Sequence, residues 1–151
     1  MKYEPDPRWG IIVYRGKVFV SHSGFTPTSV YVETEPVRII DIGNEEALAS
    51  AIDEALAAGT PSVPTPNWRM TPQSPTMKAA GVKSWSLFEK KGMGFTIFRC
   101  KDRDELTETG RDDDGRWKQD ASLTQRLPKG SPGIEFAKRI CERIRKRSDL
   151  P

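Results

Sequence analysis

The feature that most constrains the fold is a proline-rich segment in the middle of the chain. Residues 60–76 (TPSVPTPNWRMTPQSPT) hold five prolines in seventeen positions. Proline removes a backbone donor and clashes with the preceding helical turn, so this segment forms neither a helix interior nor a central strand. The parts on either side look too small to fold separately, and Trp68 and Met70 offer apolar anchors. We therefore predict an extended belt that lies across one domain rather than a linker between two.

The composition fits one soluble domain that spans residues 1–151. The chain is 36% hydrophobic and 30% charged, and single domains of about 100–200 residues are common. No run approaches the roughly 18 apolar residues of a membrane span, and the N-terminus lacks the apolar core of a secretory signal. Cys100 and Cys141 are the two cysteines, which is too few for a disulfide scaffold. These observations predict a cytoplasmic protein with reduced thiols and no membrane partner.

Short runs rich in Val, Ile and aromatic residues predict an antiparallel sheet. Trp9–His22 is typical of a β-hairpin, and Ser21–Ser29 of a turn-rich connection. Ser29–Ile42 predicts either a strand pair or one long bent strand, with Pro36 at an edge or a break. In Met93–Cys100 the apolar side chains alternate onto both faces, which favours an interior strand.

Two segments have the apolar spacing of helices that pack on a sheet. Residues 44–58 place their apolar side chains on one stripe, with Asn44 as the N-cap and Gly59 after the last turn. Residues 132–147 form the second helix, with Ser131 as its N-cap. The order of elements therefore predicts an α+β fold: a single domain, mainly an antiparallel sheet, with two packed helices.

The first of two charged segments is basic, although the net charge of the chain is only +3. Residues 138–147 (KRICERIRKR) hold six bases and one acid on the outside of the second helix. Such a face can bind nucleic acid through salt-dependent phosphate contacts. It is also typical of a solvated helix whose C-terminal bases complement the helix dipole. We favour the solvated face and do not expect a nucleic-acid partner; a nucleic-acid-binding module that uses this helix is the alternative function.

The second charged segment is acidic and holds the candidate site residues. Residues 102–114 contain seven acids and two bases, and Asp112–Gly115 has the composition of a hairpin tip. The three contiguous aspartates lack the alternate spacing of a calcium loop, so no metal is expected. A mobile solvated hairpin and an electrostatic lure for a basic protein partner both remain open. The residues of the hypothetical partner-binding surface are Asp104, Glu105, Glu108, Asp112, Asp113 and Asp114.

A single histidine limits the enzymatic chemistry of the chain. His22 cannot by itself supply a pair of acid–base histidines, and with two widely spaced cysteines it cannot close a zinc site. Its neighbours Ser21 and Ser23 point to the opposite face of a strand, so neither pairs naturally with it. Residues 92–94 (GMG) lack the helix and the Lys–Ser/Thr pair of a nucleotide loop. We predict a non-enzyme without cofactors, although carboxylate, lysine or tyrosine chemistry is possible in principle.

Three segments together resemble a known family. They are EPVRIIDI at Glu35–Ile42, the Ala-rich helix and belt at Ala47–Pro66, and AGVKSW at Ala80–Trp85. The chain is similar there to the small immunity proteins of bacterial contact-dependent growth inhibition systems. The belt motif Gly–x–Pro–x–Val–Pro–x–Pro falls on Gly59–Pro66, and the Gly–Val–Lys–Ser–Trp motif on Gly81–Trp85.

The resemblance covers about residues 10–100 and implies a cytoplasmic protein that binds a toxin. The toxin is the C-terminal domain of a sibling cell's delivery protein, often a nuclease, and the immunity protein neutralises it. Trp85 is then expected to be a structural anchor. Partners of basic nucleases are usually acidic, whereas this chain is slightly basic. Either the acidic segment supplies local complementarity, or the toxin is not a basic nuclease.

Overall fold

The computed structural model describes residues 5–67 and 74–147. Within them, six strands form one antiparallel sheet with four helices, which confirms the single α+β domain. The order across the sheet is β3-β2-β1-β4-β5-β6, so two three-stranded meanders meet at the β1–β4 pair. In chain order, the elements are β1 (Arg8–Tyr14), β2 (Lys17–Phe25), β3 (Tyr31–Asp41), α1 (Glu45–Ala58), α2 (Pro75–Ala80), α3 (Trp85–Lys91), β4 (Met93–Arg99), β5 (Arg103–Arg111), β6 (Trp117–Pro128) and α4 (Gly133–Arg145).

The larger core lies between α1, α4 and the face of the sheet that we call the front face. Alternate residues of β1, including Ile11, pack there against Leu48 and Ile52 of α1 and against Phe136 and Ile140 of α4. All five side chains are buried. The two predicted helices therefore do pack on the sheet, because their apolar stripes meet the side chains of one strand face.

The smaller core lies on the opposite face, which we call the back face. Ile12 and Tyr14 of β1 point there and pack with Met77 of α2 and Phe88 of α3. Neither helix is predicted from the sequence, because elements of six and seven residues are too short to show a periodic stripe. Each follows a serine N-cap whose hydroxyl accepts a backbone N–H bond: Ser74 before α2 and Ser84 before α3.

Strand β2 runs through the first part of the predicted connection at 21–29, so that prediction is wrong for residues 21–25. Gly24 lies in this strand, opposite Val32 of β3, and its missing side chain leaves room for Val63 of the belt. A Cβ on Gly24 would stand 2.6 Å from a methyl carbon of Val63. Residues 60–67 of the belt pass beside β2 here, where Phe25 and Ser62 form a bridge. The two expected belt anchors, Trp68 and Met70, lie outside the described residues.

Strand β3 is one long strand at the edge of the sheet, as one of the two predicted alternatives has it. Its register against β2 shifts between Ser21 and His22, opposite the Glu35–Pro36 pair. Pro36 therefore lies at a bulge on an edge strand, where its missing N–H costs no ladder hydrogen bond. Strand β4 lies between β1 and β5, which confirms the predicted interior strand.

The two long helices are capped differently. For α1 the prediction is confirmed: the Asn44 side chain accepts from the N–H of Ala47, and Gly59 follows with a φ of 68°. For α4 the prediction of Ser131 as N-cap is wrong, because the helix begins at Gly133. The Ser131 hydroxyl instead donates to the carbonyl of Pro128 at 2.6 Å.

No helix in the described ranges combines the length and the apolar character that a membrane span requires.

Cys100 and Cys141 are buried and unpaired. Burial raises the pKa of both thiols above the ordinary value for cysteine. Both side chains are therefore protonated and poorly nucleophilic at neutral pH.

Candidate functional site

The acidic segment is mostly an interior strand rather than a mobile hairpin. Residues Arg103–Arg111 form β5, which pairs with β4 on one side and with β6 on the other. Only the end of the segment, from Asp112 onward, lies at a hairpin tip. Because successive side chains of a strand point to opposite faces, the carboxylates of this segment are divided between the front and back faces.

Two of the candidate acids point to the front face and are buried. Asp104 is 0% exposed, accepts a hydrogen bond from the N–H of Ser131 at 2.9 Å and lies 3.7 Å from the Arg99 guanidinium. Glu108 is 6% exposed and forms an ion pair with Arg143 of α4 at 2.6 Å. Both carboxylates hold the second half of the fold together, so neither is available to a partner at the surface.

A third candidate acid, Glu105, lies on the back face of β5. Its Oε2 accepts from the Nε of Arg103 at 2.7 Å, and the Arg103 guanidinium also reaches Asp102. Hydrogen bonding by Glu105 raises the pKa of Arg103 above its ordinary value. Glu105 is half-buried, and its charge is matched locally. It adds little to an acidic surface.

The other three candidate acids form the tip of the β5–β6 hairpin. Asp112 shapes the turn, because its Oδ1 accepts from the N–H groups of Asp114 and Arg116 at 2.9 Å each. Asp113 and Asp114 are exposed, and the turn closes at Gly115 with a φ of 80°. The structure therefore does not bring the six candidates together on one surface. It leaves Asp113 and Asp114 as exposed charges at one end of the sheet.

Beside this tip lies a pair of aromatic residues, Trp85 and Trp117. Trp85 is 39% exposed rather than a core anchor. Its ring packs edge-on against Phe88, with centroids 5.3 Å apart, and against Trp117, with centroids 5.6 Å apart. The available signal is that Trp85 directly follows the Ser84 cap, which places it in the first turn of a short helix near the surface.

Hydrogen bonds fix the tip to α3 and to the start of β4. Glu89 of α3 accepts from the N–H of Trp117 at 2.8 Å. Arg111 donates to the carbonyls of Gly115 and Gly92, at 3.1 and 3.4 Å. The exposed aromatic and the exposed acids are therefore held on one connected surface. We call this surface the aromatic–acidic end, and it consists of Trp85, Trp117, Asp113 and Asp114.

His22 has no catalytic arrangement around it. It lies within β2, and its Nε2 is 3.4 Å from an oxygen of Glu54, within ion-pair distance but without hydrogen-bond geometry to any described residue. Glu54 is held by Arg38, whose hydrogen bonds lower the pKa of that carboxyl. Ser21 points to the other face and donates to the carbonyl of Gly10. In the described residues no three His, Cys, Asp or Glu side chains cluster as metal ligands.

Some basic side chains of helix α4 bond to other side chains of the protein. Arg143 bonds to Glu108, which raises the pKa of the guanidinium. Arg139 donates to the side-chain carbonyl of Gln125 at 2.8 Å, and Lys146 to Glu142 at 3.2 Å. Arg143 is thus matched by a mostly buried carboxylate, which reduces the charge that the helix can offer to phosphates, whereas the Lys146–Glu142 pair is exposed and Gln125 is neutral.

Comparison with known proteins gives a likeness of fold. No protein-family model matches the sequence. No curated protein resembles it closely enough to count as a relative. Among solved structures it is similar to a protein of unknown function, NMB0488, from Neisseria meningitidis. The TM-score is 0.62 over 91% of this chain and 93% of that chain, at 13% sequence identity. The two proteins therefore share a fold, and the likeness says nothing about activity.

Proposed function

We propose that this protein is an immunity protein that binds and neutralises the C-terminal toxin domain of a contact-dependent growth inhibition effector. The observation that carries the proposal is the aromatic–acidic end. An exposed tryptophan there packs on a second tryptophan, which directly follows the turn that carries the exposed acids Asp113 and Asp114. The sequence resemblance at Gly59–Pro66 and Gly81–Trp85 supports the same function.

A tryptophan in this position is suited to an interface. Aromatic residues are enriched among the side chains that dominate binding energy, because they bury a large area at a small entropic cost. Trp85 is pre-oriented by its contacts with Phe88 and Trp117, so ordering it on binding costs little. An exposed and already fixed aromatic therefore offers a partner an anchor.

The exposed acids of the tip are proposed to face a basic toxin surface, although the whole chain is slightly basic. Local charge, rather than net charge, steers encounter at short range, because ions screen exposed charges beyond about 8–10 Å. Asp113 and Asp114 are exposed at the tip. The buried acids Asp104 and Glu108 are neutralised internally. The proposal assigns the local complementarity to Asp113 and Asp114, which share their turn with the exposed bases Arg111 and Arg116.

The experiment starts from the large secreted-toxin reading frame expected immediately upstream in the genome. Its C-terminal domain is produced alone and together with this protein in a sensitive host. We expect the domain to arrest growth, and this protein to restore growth and to copurify with the domain. A matched gel-shift assay with RNA and DNA at low and high salt tests the alternative function of α4.

Two results would contradict the proposal. One is a toxic domain that this protein neither binds nor counteracts. The other is tight nucleic-acid binding at physiological salt that disappears when Lys138 and Arg145 are replaced by glutamine, which would favour the nucleic-acid module instead. These two bases are exposed on α4, so their removal tests the helix face without breaking the Arg143–Glu108 pair.

A further inference from the structure

The C-terminal half of β3 presents backbone hydrogen-bonding groups at the edge of the sheet. The N–H of Ile42, directly after the strand, donates to the carbonyl of Gly16 before β2. Groups that bond to the neighbouring strand alternate with groups that point away from it. In the register of the β2–β3 pair, the N–H and C=O groups of Val37, Ile39 and Asp41 therefore point away from β2. Among the described strands β3 has no neighbour on that side.

The same end of β3 exposes apolar side chains. Four large hydrophobic residues are exposed in the described ranges, and two of them, Ile39 and Ile42, lie here. Ile39 is 51% exposed and is the register partner of Phe19, which packs in the back-face core. Its side chain therefore continues the back face beyond the last strand. A regular, exposed and apolar edge is a template for pairing with another strand.

A groove beside this edge carries a positive charge. It has a volume of about 560 Å³ and lies between β3 and α2, where its lining includes Val37, Lys78 and Ala79. Lys78 is exposed. Asp41, four residues after Val37, is exposed too, and it pairs with the exposed Lys17. The edge segment thus has a base beside one end and an acid at the other.

We infer that this edge binds a second copy of the chain, with residues 37–41 of the two β3 strands paired antiparallel about a twofold axis at Ile39. Ile39 then lies opposite Ile39 of the partner subunit, and Val37 lies opposite Asp41 of the partner subunit. Each outward N–H meets an outward C=O in this register. Residues opposite each other share a face of the sheet, so the two exposed isoleucines cover one another.

The charges select a second copy as the occupant. In the same register Asp41 of the partner subunit comes beside Val37, at the groove that Lys78 lines. The twofold axis makes this contact twice, and a self-complementary patch of this kind closes as a dimer. The opposite edge of the sheet is less suited, because the exposed side chains of β6 are polar, charged or small and its register against β5 is irregular.

The pairing leaves the aromatic–acidic end free. Trp117 belongs to β6, at the other edge of the sheet from β3. The inference therefore goes beyond the proposed function and does not depend on it. A dimer of this form carries two aromatic–acidic ends on its outer sides.

Sedimentation equilibrium of the purified full chain over a series of concentrations tests the inference. We expect a particle of twice the 17.0 kDa of one chain, which dissociates on dilution. Ile39→Lys places like charges opposite each other at the axis and should raise the Kd of the dimer at least tenfold. Val30→Lys is the matched control, because Val30 is 52% exposed and lies outside the paired segment. Its Kd should stay within twofold, and circular dichroism should show the same fold for both variants.

An exchange of charges tests the register itself. Lys78→Glu should raise the Kd severalfold, because it brings a carboxylate to Asp41 of the partner subunit. Adding Asp41→Lys to the same chain should recover the affinity, since the pair is then restored with the signs reversed.

The outcomes are decisive in each case. A wild-type protein that is monomeric at every concentration overturns the inference, even where the toxin domain binds. A dimer that Ile39→Lys leaves intact overturns it too, because the two copies then meet through another surface. If Ile39→Lys fails to fold, the charge exchange decides, and a double variant no tighter than Lys78→Glu contradicts the inferred register.

Discussion

Asp53 of α1 accepts a hydrogen bond from the backbone N–H of Gly133, the first residue of α4, at 2.7 Å. Pro132, at the N-cap position of α4, provides no side-chain cap. A carboxylate from another helix therefore takes the place that a local Ser, Thr or Asp normally occupies. The bond joins residues 80 positions apart, so it fixes the two front-face helices relative to each other as well as capping α4.

Replacing Asp53 by alanine should lower the free energy of unfolding by about 1 kcal/mol, because loss of an N-cap acceptor costs about 0.5–2 kcal/mol. Asp53→Asn should lose less, since its carbonyl can still accept. Urea unfolding followed by circular dichroism measures both. Ser50→Ala, an exposed substitution in the same helix, serves as the control and should stay within about 0.5 kcal/mol. Equal stability of Asp53→Ala and wild type would show that the cap is not used in solution.

Replacing Gly133 by alanine tests how closely the two helices approach. A Cβ on Gly133 would stand 2.3 Å from the carbonyl oxygen of Ala49 and 2.7 Å from Oδ1 of Asp53. Alanine usually stabilises a helix by about 1 kcal/mol relative to glycine. Overpacking costs about 1–3 kcal/mol, and the clash with backbone leaves no flexible atom to yield. We therefore expect net destabilisation in the same unfolding assay, and a more stable variant would contradict the crossing geometry.

Glu108→Gln should destabilise the fold by about 1–3 kcal/mol, because Arg143 then loses a charged partner at a mostly buried site. The melting temperature should fall accordingly. The exposed Glu142–Lys146 pair on the same helix provides the control. Glu142→Gln should change stability by less than about 0.5 kcal/mol, since exposed pairs contribute little. A Glu108 variant with unchanged melting would return this residue to the set of possible surface acids.

Replacing Asp113 and Asp114 together by asparagine should slow association with the toxin domain and flatten its salt dependence. Complementary surface charge acts mainly on the encounter rate. Asp112 is left intact because it shapes the turn. The double variant Asp102→Asn and Glu142→Gln removes the same charge from exposed positions elsewhere. Stopped-flow association at two salt concentrations distinguishes the pair, and equal on-rates at low salt would remove the tip from the interface.

The substitution Trp85→Ala tests whether Trp85 contributes mainly to the stability of the fold or to the binding of the toxin domain. A fully buried tryptophan costs about 3–5 kcal/mol when truncated. Because Trp85 is 39% exposed, we expect the substitution to lower the free energy of unfolding by about 1–2 kcal/mol. Most of this effect comes from the lost edge-on contacts. Binding should weaken by about 2 kcal/mol or more. Phe88→Ala, which removes the buried neighbour, is the contrasting control and should mainly affect melting.

The sequence predicts the parts of the fold whose signals are local. The apolar stripe and Asn44 define α1, and Pro36 marks the edge strand. The acidic strand shows why other parts escape. Its alternation of Asp104, Leu106 and Glu108 is visible in the sequence, but the burial of the acids depends on their partners. Arg143 and Ser131 lie 35 and 27 residues away, and no local pattern indicates that they meet. A segment rich in acids is therefore predicted to lie at the surface, although part of it is buried in the core.

Local sequence patterns do not predict the candidate site either. Trp85 and Trp117 come together only when α3 packs beside the β5–β6 hairpin. This contact has no sequence motif, because it is made by elements distant in sequence.

The meeting of two meanders at β1–β4 makes the chain resemble two half-proteins in tandem. Each half consists of three antiparallel strands followed by a front-face helix, and the belt enters the connection between them. Side chains of both halves share one buried apolar cluster, as in the interface of an obligate heterodimer. A chain cut within residues 64–67 should therefore remain one particle, and separately produced halves should reassemble on mixing. The covalent connection at the belt then serves mainly to keep the two pieces at high local concentration.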